Sequence, residues 1–163
     1  MSHTAYSAAK FAVKGFSEAL MNDLRLNAPH IKCSVVMPGH IGTPIASNTR
    51  KFHLGPDADR LSESEISVMR RRLTASGFDT AQLSDEDIQK IALDRMRAFQ
   101  EQAPTTAAQA ARIILDGVKA DRWRILVGDD AHKLDARVRQ DPESAYTPEF
   151  YQSLVAEVGW RMG

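Results

Sequence analysis

Only two short apolar runs in this chain of 163 residues are convincing β-strands, and both lie between helical segments. The first run spans residues 31–37 and stops at Pro38-Gly39, and the second spans residues 123–128. Strands that alternate with helices predict an α/β fold with parallel strands and right-handed crossovers. Two parallel strands alone do not make a stable sheet, because both faces of a parallel sheet need cover. We therefore expect part of a doubly wound domain.

Helical periodicity predicts most of the other elements. Residues 5–27 form a helix whose first half is apolar nearly all round, which predicts burial on more than one side. Within it, Gly15 is either a tolerated glycine or a point where a neighbouring backbone approaches closely. Capping-box spacing predicts the starts of three further helices, and a short helix is expected at 131–139. The three capping residues are Ser62, Ser84 and Thr106.

Three shorter segments also carry structural expectations. The run Val35-Val36-Met37 does not alternate, which favours a strand covered on both faces. The basic run at 70–72 is interpreted as a solvated helix face, since acidic residues flank it. Residues 141–163 form a tail whose aromatic side chains are interpreted as a packing anchor. These are Tyr146, Phe150, Tyr151 and Trp160.

Composition excludes several classes of function. Lysine and arginine total 21, as do aspartate and glutamate, so the zero net charge gives no basis for binding nucleic acid or an anionic membrane. We also expect no membrane helix, because no apolar run approaches the ~20 residues that one needs. A single cysteine, Cys33, and five histidines without ligand spacing predict no metal site. The start lacks the pattern of a secretory signal, so a cytoplasmic location is expected.

Tyr6 and Lys10 carry the candidate chemistry. They stand four residues apart on the predicted first helix, so their side chains share one face. The pKa of a free tyrosine phenol is near 10, which is too high for ready proton exchange at neutral pH. A nearby ammonium favours the phenolate, by about 4 kcal/mol at ~4 Å and an effective dielectric near 20. Such a pair can act as a general acid/base, although the same spacing fits an ordinary surface tyrosine and lysine.

The context of this pair resembles the active-site helix of the short-chain dehydrogenase/reductase family. The segment that carries the resemblance is 6–20, YSAAKFAVKGFSEAL. In that family a strand ending in Pro-Gly follows the helix, with a threonine four residues after the glycine. Pro38, Gly39 and Thr43 match this arrangement. The resemblance covers about 1–45 and 104–140 well and the insertion between them poorly, and it implies a Rossmann-like fold.

The resemblance implies a role for each matching residue. Tyr6 would be the catalytic acid/base that exchanges a proton with the substrate oxygen. Lys10 would lower the pKa of a tyrosine phenol at this position and hydrogen-bond the nicotinamide ribose. Both would therefore contact the cofactor, which is NAD or NADP. The expected reaction is reversible hydride transfer between an alcohol and a carbonyl compound.

Four further positions match groups that hold the cofactor in this family. Pro38 and Gly39 form the turn beside the nicotinamide. The backbone of Ile41 and the side chain of Thr43 would hold the carboxamide and nearby phosphates. A glycine after a strand allows close approach of backbone to a ligand, and ligands of open α/β sheets sit at the carboxyl ends of strands.

The insertion at 46–104 matches the variable substrate lid of the family. Four of its apolar residues either line a pocket or form the small core of the lid itself, and we favour the core. They are Phe52, Leu54, Met69 and Leu73. A lid of this kind closes over the site and excludes water.

Some expected elements of the family do not occur in these 163 residues. There is no Gly-rich turn of the kind that cradles a dinucleotide pyrophosphate, and the catalytic serine of the family would lie before Met1. We therefore expect the carboxyl-terminal portion of one Rossmann-like domain, with about two strands, inactive alone. The family also implies a homo-oligomer formed through the first helix. The alternative is a non-enzymatic remnant that acts as an interaction or oligomerisation module.

Overall fold

The computed structural model describes residues 4–158. Its helices and strands follow one another along the chain in this order: α1 Thr4–Asn27, β1 Val35–Pro38, β2 Ile41–Gly42, α2 Ile45–Leu54, α3 Glu63–Ala75, α4 Asp85–Glu101, β3 Thr105–Thr106, α5 Ala107–Lys119, β4 Arg124–Val127, α6 Asp129–Gln140 and α7 Pro148–Val158. Short 3-10 turns lie at Gly55–Asp59 and Ser144–Tyr146. The described residues divide into two compact units, which are 4–41 with 104–158 and 42–103.

The first unit contains the parallel pair of strands that the sequence predicts. β1 and β4 run parallel, with Val35 opposite Arg124 and Pro38 opposite Val127. This pairing confirms an α/β fold with a small parallel sheet. β1 begins at Val35, later than the predicted start at residue 31, and β2 and β3 form a second pair of only two residues each.

Cover on both faces of β1 is not observed, so that expectation is wrong for the described chain. The residues of β1 alternate between half-buried and exposed. The alternation arises because β1 has neighbouring residues on one face, whereas the other face is open. β4 is more deeply placed, with Ile125 and Val127 buried.

The core of the first unit lies between α5 and β4. Ala110 on α5 packs with Ile125 and Val127 on β4, and three partly buried isoleucines surround this cluster: Ile41, Ile113 and Ile114. Thr106 caps α5 with its side chain, and the capping box with Gln109 is present as predicted. Because the apolar stripe of α5 recurs at helical spacing, one face of the helix covers the strand.

The tail contributes to packing through only some of its aromatic residues. Phe150 on α7 is buried and lies 4.8 Å, ring centroid to guanidinium carbon, from Arg137 on α6. Tyr146 and Tyr151 are exposed, so the anchor is Phe150 together with Leu154, which is also buried. Trp160, the fourth predicted member, lies outside the described residues.

α1 has the predicted length but not the predicted burial. None of its described residues is buried, and Phe11 and Phe16 are about two-thirds exposed, at 70% and 68%. The expectation of burial on more than one side is therefore wrong for this chain. A methyl group added at Gly15 would meet no described atom within 4 Å, so no described backbone approaches that glycine.

The second unit, 42–103, is helical and has its own small core. Ser62 and Ser84 form the predicted capping boxes at the starts of α3 and α4. Buried residues come from the 3-10 turn, α3, α4 and the segment between that turn and α3: Ala58, Leu61, Leu73, Ile88 and Ala92. The interpretation of 70–72 as a solvated face is wrong for Arg70, which donates to Thr80 O and Leu83 O and pairs with Asp85.

Candidate active site

Tyr6 and Lys10 lie next to each other on α1. The ammonium nitrogen Nζ of Lys10 is 5.3 Å from the centroid of the Tyr6 ring. A helix places residues i and i+4 on one face, and a cation above an aromatic face is attracted by the electron density of the ring. Tyr6 is 63% exposed, so a ligand can reach the phenol. The geometry therefore provides an accessible phenol with a cation beside it.

Pro38 and Gly39 form the turn that leaves the carboxyl end of β1. The N–H of Gly39 donates to Val127 O at 2.9 Å, which extends the pairing with β4 by one bond. The next N–H, from His40, donates to Asp130 Oδ2 at 2.6 Å. Hydrogen bonds from two backbone N–H groups, one to the last residue of β4 and one to the Asp130 side chain at the start of α6, therefore fix this turn.

Asp130 is a functional candidate that sequence reasoning missed. Its carboxylate is buried, with 3% exposure, in the first turn of α6. A side chain on Gly39 would overlap this carboxylate, so only glycine fits opposite it. The available signal was the sequence Gly128-Asp129-Asp130, in which acidic residues follow a strand directly and begin a helix.

Ile41 belongs to the first unit, and Thr43 belongs to the second. Ile41 is half-buried and packs against the cluster between α5 and β4 in the first unit. Thr43 lies in the second unit, where it lines an open cavity of about 540 Å³ together with residues of α2 such as Ile45 and Phe52. The predicted roles of both residues stay predictions.

The four apolar residues of the insertion divide between core and surface. Leu73 is 1% exposed and belongs to the core of the second unit. Phe52 is 85% exposed and lines the 540 Å³ cavity. Leu54 is exposed and Met69 is half-buried. The preferred interpretation as a lid core therefore fits Leu73 and does not fit Phe52.

Residues 4–158 contain neither a metal-binding cluster nor a membrane-spanning helix. These residues include no group of three or more His, Cys, Asp and Glu side chains that could hold a metal ion. Within the same range, every helix is too short or too polar to cross a membrane.

Comparison with known proteins supports the family resemblance. Residues 1–53 match the family model described as short chain dehydrogenase. Over 153 residues, the chain is 28% identical to the protein named "Putative oxidoreductase SadH" from two strains of Mycobacterium tuberculosis, CDC 1551 / Oshkosh and H37Rv. The alignment covers 94% of this chain and 41% of each relative, so the chain spans about two fifths of their length. No solved structure matches.

These matches support the resemblance of the chain to the short-chain dehydrogenase/reductase family. The region that the family model covers includes every predicted site residue, from Tyr6 to Thr43. The match of the family model therefore lies on the same helix, strand and turn from which the sequence predicted the resemblance.

Proposed function

We propose that this chain belongs to an NAD(P)-dependent oxidoreductase that transfers hydride reversibly between an alcohol and a carbonyl compound. The observation that carries the proposal is the pairing of Tyr6 with Lys10, whose ammonium lies 5.3 Å from the ring centroid on an exposed face of α1. The names of the matched family and of the relatives, a dehydrogenase and an oxidoreductase, support the same class of reaction.

Tyr6 has the role of acid and base in this proposal. In the oxidation of an alcohol, its phenolate oxygen takes the hydroxyl proton as the carbon loses its hydrogen with the bonding electrons. In the reverse reaction the phenol returns the proton to the carbonyl oxygen. A bound nicotinamide dinucleotide supplies or accepts the hydride. Lys10 stabilises the charged phenolate because its ammonium lies 5.3 Å from the ring centroid on the same helix face.

The turn after β1 has the role of holding the nicotinamide end of the cofactor. Pro38 and Gly39 lie at the carboxyl end of a parallel strand, where open α/β sheets bind their ligands. Pro38 is exposed and Gly39 is half-buried, so these residues fit a ligand at the end of the strand. The backbone of Ile41 and the hydroxyl of Thr43 would complete the contacts to the carboxamide and nearby phosphates.

The unit 42–103 has the role of the substrate lid. Its open cavity is lined by Ile45 and Phe52, which are both exposed, and by the polar side chains Asn48 and Thr49. An apolar wall with a few polar groups suits a moderately apolar alcohol or ketone. The exposed ring of Phe52 is the side chain on which substrate preference would depend most.

Calorimetric titration tests the cofactor assignment. The 163-residue chain and the protein expressed from the complete reading frame of its gene would each be titrated with NAD(H) and NADP(H). Saturable binding by the protein of the complete reading frame, with or without binding by the 163-residue chain, supports the proposal. Absence of binding in both proteins contradicts it.

The exposed apolar side chains of α1 favour a second candidate, in which the chain is a non-enzymatic module that associates through this helix. Phe11 and Phe16 are two of its large exposed apolar residues, and an apolar helix face is a common site of association. Light scattering on Phe16→Glu, with the exposed Tyr146→Glu as the matched control, tests it. Dissociation by Phe16→Glu alone supports association through α1, and equal behaviour of the two variants contradicts it.

A further inference from the structure

The buried carboxylate of Asp130 connects two separate segments of the first unit. It accepts the N–H of His40 at 2.6 Å and the N–H of Ala131 at 3.0 Å. His40 is the last residue of the turn that follows β1, whereas Ala131 lies in α6. One side chain therefore fixes the position of the turn relative to the start of the helix.

Two glycines leave the space that this carboxylate occupies. A Cβ atom on Gly39 would overlap the carboxyl group of Asp130. A Cβ atom on Gly128 would lie 2.5 Å from Asp130 Oδ1 and 2.9 Å from Thr105 Oγ1, and Gly128 has a φ of 98°, which side chains rarely tolerate. The chain thus closes around Asp130 from the turn, from the β4–α6 junction and from β3.

A buried carboxylate is costly unless hydrogen bonds replace the lost water. Here Asp130 is compensated by the N–H groups of His40 and Ala131 and by its place in the first turn of α6, where the helix dipole favours negative charge. Asp129, its neighbour, is exposed and pairs with Lys133 at 2.9 Å instead. The two adjacent acids therefore differ in role, and Asp129 serves as a matched control.

We propose that Asp130 is a positioning residue that holds the turn Pro38–Gly39–His40 in the geometry that receives the nicotinamide end of the cofactor. This inference rests on the proposed function, because it gives the turn its ligand. Asp130 acts through the backbone N–H of His40 and makes no contact with substrate or cofactor itself. Loss of its carboxylate would loosen the turn and leave the adenosine end of the dinucleotide unaffected.

The first test measures hydrogen exchange of backbone amides by NMR in the protein expressed from the complete reading frame. In Asp130→Ala, we expect the His40 amide to exchange about tenfold faster or more, while the Gly39 amide, which bonds Val127 O, keeps its protection. Asp130→Asn keeps an acceptor oxygen and should retain most of the protection of His40, and Asp129→Ala should leave both amides unchanged. Equal loss at both amides, or no change at His40, would overturn the positioning role.

The second test compares binding of NAD(P)H with binding of the corresponding ADP-ribose, which lacks the nicotinamide. Asp130→Ala should weaken NAD(P)H by about tenfold and leave ADP-ribose within about twofold, with partial recovery in Asp130→Asn. Equal weakening of both ligands would mean general damage to the fold, and no weakening would mean that the turn needs no support. Either result overturns the inference. Failure of the wild-type protein to bind either ligand overturns the proposed function, whereas the exchange test still decides whether Asp130 holds the turn.

Discussion

Arg50 on α2 and Glu65 on α3 form an ion pair in which Nη1 lies 2.5 Å from Oε1. The same guanidinium donates from Nε to Ala58 O at 2.9 Å and from Nη2 to Arg60 O at 3.0 Å. Glu65 in turn closes the capping box with Ser62. One arginine therefore joins α2, the 3-10 turn and the start of α3 within the second unit.

This ion pair predicts a pH dependence of stability. The pKa of Glu65 is lowered from its ordinary value of 4.5. The largest cause is the hydrogen bond from Arg50, and the hydrogen bonds from Ser62 act in the same direction. A carboxyl whose pKa is lower in the folded state contributes stability above its unfolded pKa, and this stability is lost as the pH falls through the folded pKa. Because Glu65 is 39% exposed, we expect Glu65→Gln to cost at most about 1 kcal/mol at neutral pH.

Urea unfolding of wild type and Glu65→Gln at a series of pH values checks this prediction. The difference in unfolding free energy should shrink as the pH falls below the ordinary range of a glutamate pKa. Glu63→Gln, in the same first turn of α3, is the control and should leave the profile close to that of wild type. A difference that stays constant down to low pH would contradict the account of Glu65.

Position 117 on α5 requires glycine because of side-chain packing and not because of an unusual backbone conformation. An added Cβ atom would lie 2.6 Å from Cδ1 and 2.8 Å from Cγ1 of Ile125, which is buried in the core. Gly117→Ala gains about 1 kcal/mol in helix propensity, but overpacking costs about 1–3 kcal/mol. We expect a net decrease in the unfolding free energy, measured by thermal or denaturant unfolding.

Gly15→Ala is the matched comparison on a different helix. The space around Gly15 is open among the described residues, so the gain in helix propensity of about 1 kcal/mol is not opposed. We expect Gly15→Ala to raise the unfolding free energy. A decrease would show that another backbone does approach this glycine, which is the second reading that the sequence allows.

Leu73 and Phe52 have opposite predicted phenotypes. Leu73→Ala removes a fully buried side chain and should lower the unfolding free energy by about 2–5 kcal/mol. Phe52→Ala removes an exposed ring that lines the cavity, so stability should stay within about 0.5 kcal/mol while KM for an alcohol or ketone changes. Unfolding and steady-state kinetics on both variants check this, and a large loss of stability in Phe52→Ala would place its ring in the core.

The sequence predicted the local elements well because their signals are local. The capping boxes at Ser62, Ser84 and Thr106 each need only four consecutive residues, and all three are formed. The parallel pairing of β1 with β4 also followed from strands that alternate with helices. Burial of α1 and of both faces of β1 was predicted wrongly, because apolarity shows what a segment can bury and not which neighbours are present.

The candidate site was predictable only in part for the same reason. Tyr6 and Lys10 stand one turn apart on a single helix, so sequence spacing is enough to bring them together. Asp130 contacts a residue 90 positions away in the chain, His40. No periodic pattern encodes such a contact, and only the folded first unit reveals it.

The most direct measurement of the central claim is hydride transfer by Tyr6→Phe in the protein expressed from the complete reading frame. Nicotinamide absorbance would be followed with a panel of alcohols and ketones, with the exposed Tyr151→Phe as the control. We expect wild type and Tyr151→Phe to be equally active, and Tyr6→Phe to lose about 10²–10⁴-fold in kcat with cofactor affinity nearly unchanged. Full activity in Tyr6→Phe, or no activity in wild type with either cofactor, would contradict the assignment of Tyr6 as the acid and base.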